Sequence, residues 1–284
     1  MNNHDGMAGP WRRTVLVTGC SSGIGRCVAQ GLREDGWRVF ASARRPEDVA
    51  VLQEQGFEAL RLDLADSDSI AAAVDTVLGW SGGRLFGLFN NGAYAQPGAV
   101  EDVSRAALRA QFEVNLFGTH ELTCRVLPVM HQQGCGRIIQ NSSMLGVVAL
   151  KYRGAYVASK FALEGLTDTL RLELAGTGIH VALIEPGPIE SRIRANGHAA
   201  FLRHIRPLES RYAADYAQVE ARLQAELSPT PFTLPPDAVL RCVRHALGAS
   251  RPRVRYPVTV PGHVFGVLRR LLPGRALDYV LARV

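Results

Sequence analysis

Near its start the chain reads Thr14-Val-Leu-Val-Thr18, then Gly19-Cys-Ser-Ser-Gly23-Ile-Gly25, then a stretch in which Ile24, Val28 and Leu32 share one helical face as far as Gly36. A β-branched run, a glycine-rich turn and a helix in that order leave few architectures open. Glycines at such a turn let backbone come close to a diphosphate. The helix that follows offers unpaired N–H groups and the positive end of its dipole. The spacing is Gly-x3-Gly-x-Gly rather than Gly-x-Gly-x-x-Gly, so the turn takes its meaning from its place directly after the first strand.

The alternation then continues. Further strands are predicted at 38–43, 58–62, 85–89, 137–140, 180–184 and 253–256, and helices over 46–56, from near Asp66, over 104–131 and from Gly154. Strand–helix alternation of this kind predicts a doubly wound parallel sheet in a single α/β domain. The length of 284 residues suits one large domain, and 47% apolar with 20% charged residues is a globular composition.

Several strand ends carry polar residues, where ligands of such sheets gather. The second strand ends in Ala43-Arg44-Arg45, without the acid that binds a ribose 2′-hydroxyl. Arg44 there suits a 2′-phosphate through charge-assisted hydrogen bonds; a plain surface pair holds about one chance in four. Asp63, after the third strand, either accepts from an adenine amino group or caps the turn before the next helix. Asn90 and Asn91, after the fourth, either hold the cofactor side of a cleft or simply pin the loop. Asn115 sits among Phe112, Val114, Leu116 and Phe117 inside the long helix, where Asn is unfavourable. It either satisfies itself on local backbone or holds a water near the site. Ser142 and Ser143 follow the fifth strand.

Tyr156 and Lys160 lie four apart at the head of the next helix, on one face and about 6 Å apart along its axis. A free phenol titrates near ~10, and a neighbouring ammonium pulls that value toward the range of a general acid/base. Lys151 and Lys160 are the only lysines, beside 30 arginines and seven tyrosines, so chance gives this spacing only about 0.05 times. Taken alone, the spacing fits a solvent-facing helix pair worth a few tenths of a kcal/mol equally well.

Residues 188–234 interrupt the alternation, with Tyr212, Tyr216, Val219, Leu223 and Leu227 on one helical face, and read as a lid over the carboxyl ends of the strands. Residues 1–11 read as a flexible start, 12–260 as the domain, and 261–284 as a basic, apolar C-terminal extension. Residues 241–284 hold nine Arg and one acid, which leaves the rest of the chain close to −2. Packing of this extension on the protein or a partner is favoured about two to one over contact with a membrane surface. An Arg-rich tail without interleaved aromatics argues against a nucleic-acid partner. Cys20, Cys27, Cys124, Cys135 and Cys242 are odd in number and lack metal-type spacing. No metal is therefore expected. With no leader pattern at the N-terminus, reduced thiols in a cytoplasmic protein are expected, and no stretch is long enough to span a membrane.

Thr18-Gly-x3-Gly-Ile-Gly25, Asn90-Asn91, Asn115, Ser143, Tyr156-x3-Lys160 and Pro186-Gly187 together resemble the short-chain dehydrogenase/reductase (SDR) family over residues 13–260. Arg255-Tyr-Pro-Val-Thr and Arg-Leu-Leu-Pro-Gly further on look like the YbbO-like group of bacterial NADP-dependent aldehyde reductases; steroid and retinol dehydrogenases share much of the core. The resemblance implies a Rossmann fold and hydride transfer between NADP(H) and a carbonyl. Oxidation of a steroid- or retinol-like alcohol is the alternative, and a non-catalytic NADP(H) sensor a weaker one. It implies Tyr156 as proton donor, Lys160 on the nicotinamide ribose, Ser143 on the substrate oxygen (13 residues before Tyr156, hence not Ser142) and Asn115 holding a water. Cofactor contacts are implied at Gly19, Ser21, Ser22, Gly23, Ile24, Gly25, Arg44, Asp63, Leu64 and Asn91, and at Pro186, Gly187, Ile189 and Ser191 near the nicotinamide. Asn-Asn-Gly-Ala replaces the family's usual Asn-Asn-Ala-Gly, and Ser191 stands where Thr is common. Relatives pair through the helices here at 104–131 and 154–175, so a homo-oligomer is implied.

Overall fold

The computed structural model describes residues 10–225 and 231–283. Most of the expected flexible start, and Leu227 of the lid face, lie outside them. Seven strands, β1 (Thr14–Val17), β2 (Arg38–Ala43), β3 (Glu58–Arg61), β4 (Gly87–Asn90), β5 (Gly136–Asn141), β6 (Ile179–Glu185) and β7 (Arg255–Pro257), form one sheet in the order β3-β2-β1-β4-β5-β6-β7. Every pair is parallel. The helices are α1 (Gly23–Glu34), α2 (Pro46–Glu54), α3 (Ser67–Ser81), α4 (Arg105–Phe112), α5 (Thr119–Gln133), α6 (Gly154–Glu173), α7 (Ile193–His204), α8 (Ala213–Gln224), α9 (Asp237–Gly248), α10 (Val260–Leu271) and α11 (Gly274–Leu281). This is the doubly wound architecture expected. Its strand order reverses between β1 and β4, and that reversal opens a crevice at their carboxyl ends.

Alternation along β1 builds both cores. Val15 and Val17 pack with Val28 and Leu32 of α1 and with Val239 and Val243 of α9. Leu16 points the other way, into a cluster with Leu88, Ile70 and Val74 of α3, and Leu122 and Val126 of α5. Both faces being covered, β1 is wholly buried, as central parallel strands are. Asp66 caps α3 by accepting from the N–H groups of Asp68 and Ser69, and Gly82 ends it in a left-handed conformation.

Two elements differ from the sequence reading. Residues 235–252 receive no element there, yet α9 forms and packs so closely on α1 that a Cβ at Gly31 would lie 2.3 Å from a Leu240 methyl. Its helical spacing (Val239, Val243, Ala246) is hidden behind Pro235-Pro236. The helix expected over 104–131 is two helices joined by a π turn at Glu113–Gly118. The cause is tertiary. Asn115 is drawn to the backbone of Tyr94, and the Leu64 carbonyl presses on Gly118, where a Cβ would lie 1.8 Å from its oxygen.

The segment after β6 has its own small core, with Phe201 of α7 and Ile205 just past it against Tyr216 and Leu223 of α8. Tyr216 ties it to the body: its hydroxyl donates to Asp102 and accepts from the Ala99 N–H at 2.9 Å.

Gly118→Ala is expected to lower the unfolding free energy by about 3 kcal/mol, through overpacking against immovable backbone. Gly79→Ala, with open space around an exposed site in α3, should raise it by about 0.5–1 kcal/mol. Urea denaturation of the two variants checks both signs.

Candidate active site

Thr18, one residue past β1, organises the crevice. Its Oγ1 accepts from the N–H groups of Asn91 and Gly92, each at 2.8 Å. Asn91 returns its side-chain amide to the Thr18 carbonyl at 2.9 Å, and its Oδ1 accepts from Asn141 Nδ2 at 2.9 Å. The ends of β1, β4 and β5 are thereby laced together. Asn90 donates to Thr123 instead, at 2.9 Å, away from the crevice.

In the glycine turn, Gly19 (φ +72°) and Gly23 (φ +54°) are left-handed, and a Cβ at Gly25 would lie 2.2 Å from the Gly19 oxygen. Only glycine closes this loop. The Ser22 side chain caps none of the first N–H groups of α1, which leaves them as donors for an anion. The turn therefore fits the diphosphate of a dinucleotide.

Across the cleft stands α6. Tyr156, Lys160, Ser143 and Asn115 are all buried. Ser143 is the serine that acts on the Tyr156 phenol, as the spacing also suggests. Ser142 turns instead toward Gly146, where a Cβ would come within 2.7 Å of its Oγ. Lys160 Nζ donates to the Asn141 carbonyl at 2.7 Å. Burial pushes the Tyr156 phenol above its ordinary value; the Ser143 hydrogen bond and the Arg153 cation pull it back in part. The lowering expected from Lys160 is thus not what this arrangement gives. Desolvation outweighs it, and the cation acting on the phenol is Arg153, at the start of α6. Burial also pulls the Lys160 amine down, to about 8, against the opposing pull of the Glu164 carboxylate.

Glu164 and Arg255 escaped the sequence reading. Glu164 lies one turn beyond Lys160 on α6, a spacing that could have flagged it. Arg255 of β7 binds Glu164, and also Glu185 and Asp168 at 2.6 Å each. It clamps α6 to the ends of β6 and β7. Nothing local to Arg255 signals this role, because its partners are 70–91 residues away.

The cleft has a volume of about 570 Å³. It brings together Gly19, Ser21, Ser22, Gly23, Ile24 and Asn91 on one side and Ser143, Tyr156 and Lys160 on the other, with Pro186, Gly187, Ile189 and Ser191 between them. Gly25 lies beneath the turn. Four further expected residues do not line it either. Arg44 stands exposed just past β2. Asp63 Oδ1 accepts from the Ala65 N–H at 3.0 Å, as a turn cap does. Leu64 packs its side chain into the core. Asn115 spends both amide N–H donors, on the Tyr94 carbonyl at 3.0 Å and Ser159 Oγ at 3.2 Å. At Gly92, the first departure from the usual motif, a Cβ would meet a Leu64 methyl at 3.0 Å.

A doubly wound sheet whose glycine turn faces a Ser–Tyr–Lys set across one cleft defines an oxidoreductase that works with a nicotinamide cofactor. The chain belongs to the short-chain dehydrogenase/reductase family: the family model for short chain dehydrogenase matches residues 13–200. It is 41% identical over 270 residues to the uncharacterized oxidoreductase YbbO of Escherichia coli (strain K12), covering 95% of this chain and 94% of that one. It is 33% identical over 279 residues to the NADPH-dependent 3-dehydrocapnine reductase of Ornithobacterium rhinotracheale, covering 94% and 95%. The crystal structure of a short-chain dehydrogenase from Streptomyces avermitilis superposes with a TM-score of 0.74 at 28% identity, over 94% of this chain and 92% of that one.

With only two lysines, selective labelling resolves Lys160 by NMR. Its amine is expected to titrate near pH 8, and a midpoint above about 10 would overturn the burial argument. A depressed lysine pKa means the unfolded chain binds more protons between pH 8 and 10.5. Wild-type stability relative to Lys160→Met should therefore rise across that window, by on the order of 3 kcal/mol.

Proposed function

We propose that this protein is an NADPH-dependent reductase of aldehydes or ketones, with Tyr156 as the proton donor. The observation that carries this reading is the Tyr156 phenol, buried at the cleft wall together with Ser143, with Lys160 one turn along and the glycine turn opposite. A phenol raised by burial stays protonated at neutral pH, which supports the reductive direction. Bound NADPH supplies the hydride.

The chain's own residues do the rest. Ser143 donates to the substrate oxygen as charge develops there, and Tyr156 delivers its proton to the same atom. Lys160, held by Asn141, orients the nicotinamide ribose and refills the proton. Asn115, through Tyr94, keeps the loop after β4 in place. Gly19, Ser22, Gly23, Ile24 and Gly25 hold the diphosphate, Asp63 and Leu64 the adenine side, and Asn91 the adenosine ribose. Pro186, Gly187, Ile189 and Ser191 flank the nicotinamide. Ser21 and Arg44 share the 2′-phosphate. Ala43 in place of an acid, and the NADPH-dependent relative, support that last assignment.

Substrate enters beneath the segment 188–234, which acts as the lid. Leu145, Leu150, Leu223, Phe232 and Phe265 line that side of the cleft, and their character favours a lipophilic carbonyl. The same reading includes a homo-oligomer. Phe117 of the π turn and Phe161, Leu166 and Leu172 of α6 are exposed, beside a hollow of about 250 Å³ between α5 and α6. Such a face suits a second copy.

Following NADPH absorbance over an aldehyde series, Tyr156→Phe should lower kcat by about 10²–10⁴ while NADPH still binds. Undiminished turnover in that variant would refute the mechanism. Arg44→Asp should weaken NADPH by about 10- to 100-fold and NADH little; equal losses remove the phosphate assignment. Light scattering of Leu166→Arg should report a smaller particle than wild type, and an unchanged mass rejects the α5–α6 interface.

A further inference from the structure

Helix α10 has two unlike faces. Its start is locked to the body: Thr259 is fully buried, accepts from the Gly262 N–H, and sits so near Gly187 that a Cβ there would lie 2.0 Å from its Oγ1. Pro261 and Phe265 on this inner side line the substrate cleft. The outer side carries Val260, Val264, Val267 and Leu271, which are 54%, 47%, 54% and 73% exposed. Steps of four, three and four residues put them in one stripe about 16 Å long. Among the described residues nothing covers it.

The charge around the stripe points to what does. Arg270 flanks the stripe at the end of α10, with Arg269 on the far side of the same turn, and Arg275 on α11 and Arg283 just past it follow, all exposed, against the single acid Asp278. Tyr279 is 64% exposed, with the Arg283 guanidinium 3.3 Å from its ring centre. A second copy of the chain would bring the same arginines face to face, and α5 and α6 already offer a copy a neutral apolar face. Aliphatic side chains in a stripe, a tyrosine and a fringe of arginines match the headgroup–acyl boundary of a bilayer rich in anionic lipid.

We propose that α10 and α11 form an interfacial anchor. The stripe Val260–Val264–Val267–Leu271 dips into the acyl boundary of an anionic membrane, and Arg270, Arg275 and Arg283 lie among its phosphates. No helix among the described residues is long and apolar enough to cross, so the chain lies on the surface. The inner face of the same helix is the cleft wall, which sets the cleft beside the lipid. Resting on the function proposed above, a carbonyl dissolved in lipid then enters past Phe265. The anchor itself needs no turnover, so its test stands or falls apart from the catalytic reading.

The experiment is co-sedimentation of the full chain with vesicles of phosphatidylcholine, alone or with about one-third phosphatidylglycerol. Binding to the anionic vesicles only is expected, and it should be lost between about 0.05 M and about 1 M salt. Each arginine near such a surface contributes about fivefold, so Arg270→Glu with Arg275→Glu should weaken partitioning by roughly 25-fold or more. Val264→Ser with Val267→Ser should weaken it without changing its salt dependence. Unchanged melting temperature and NADPH binding in both variants show that the fold is intact. Absence of binding to anionic vesicles at low salt, or equal binding by the charge-reversed variant, overturns the proposal. So does a particle mass that halves on Val264→Ser with Val267→Ser, which would assign the stripe to a second copy.

Discussion

A single line of hydrogen bonds spans the cleft floor. It runs from Lys160 Nζ to the Asn141 carbonyl, from Asn141 Nδ2 to Asn91 Oδ1, and from Asn91 Nδ2 to the Thr18 carbonyl at the mouth of the glycine turn. It ties α6 to β5, β5 to β4 and β4 to β1, so Lys160 and the glycine turn keep a set separation. The sheet supplies the crevice, since its order reverses between β1 and β4. The hydrogen bonds decide where in that crevice each group stands. They are short-range and directional; the one from Lys160 is buried and the other two part-buried, and losing a buried partner leaves the other unsatisfied.

Burial sets the electrostatics of the same region. Desolvation moves Tyr156 and Lys160 in opposite directions, each toward its neutral form. Local charges then pull back: Arg153 on the phenol, Glu164 on the amine. Glu164 is itself among buried groups, where a lone carboxylate is costly, and Arg255 answers that cost with one guanidinium shared among Glu164, Glu185 and Asp168. This clamp joins β7 and β6 to α6, one turn along the helix from Lys160. Stability and site chemistry share these residues, which is why the cluster sits beside Lys160.

The outer elements serve the site more loosely. α7 and α8 form a separate small core whose main tie to the body is Tyr216, through Ala99 and Asp102. Further ties run from Ser210 to Asp102 at 2.6 Å and from the Tyr152 ring to those of Tyr212 and Tyr216. α10 is fixed by Thr259 on the inside and bare on the outside.

Local pattern settles a good deal of this protein in advance. The glycine turn after β1, the strand–helix alternation, and the Tyr156–Lys160 step along one helix face each depend on neighbours within a few residues, so they could be read directly. β2 runs over Arg38–Ala43 as its β-branched and small residues suggest. Other features emerge only when distant segments meet. The π turn at Asn115 answers to Tyr94 and Leu64. The tilt of the Tyr156 pKa upward answers to how much chain covers it. The role of Arg255 answers to acids 70–91 residues away, and the packing of α9 to the bare backbone of Gly31. Helical and strand periods are properties of a short stretch of backbone, whereas desolvation and long-range charge depend on which other surfaces exclude the water. Only the folded chain specifies those.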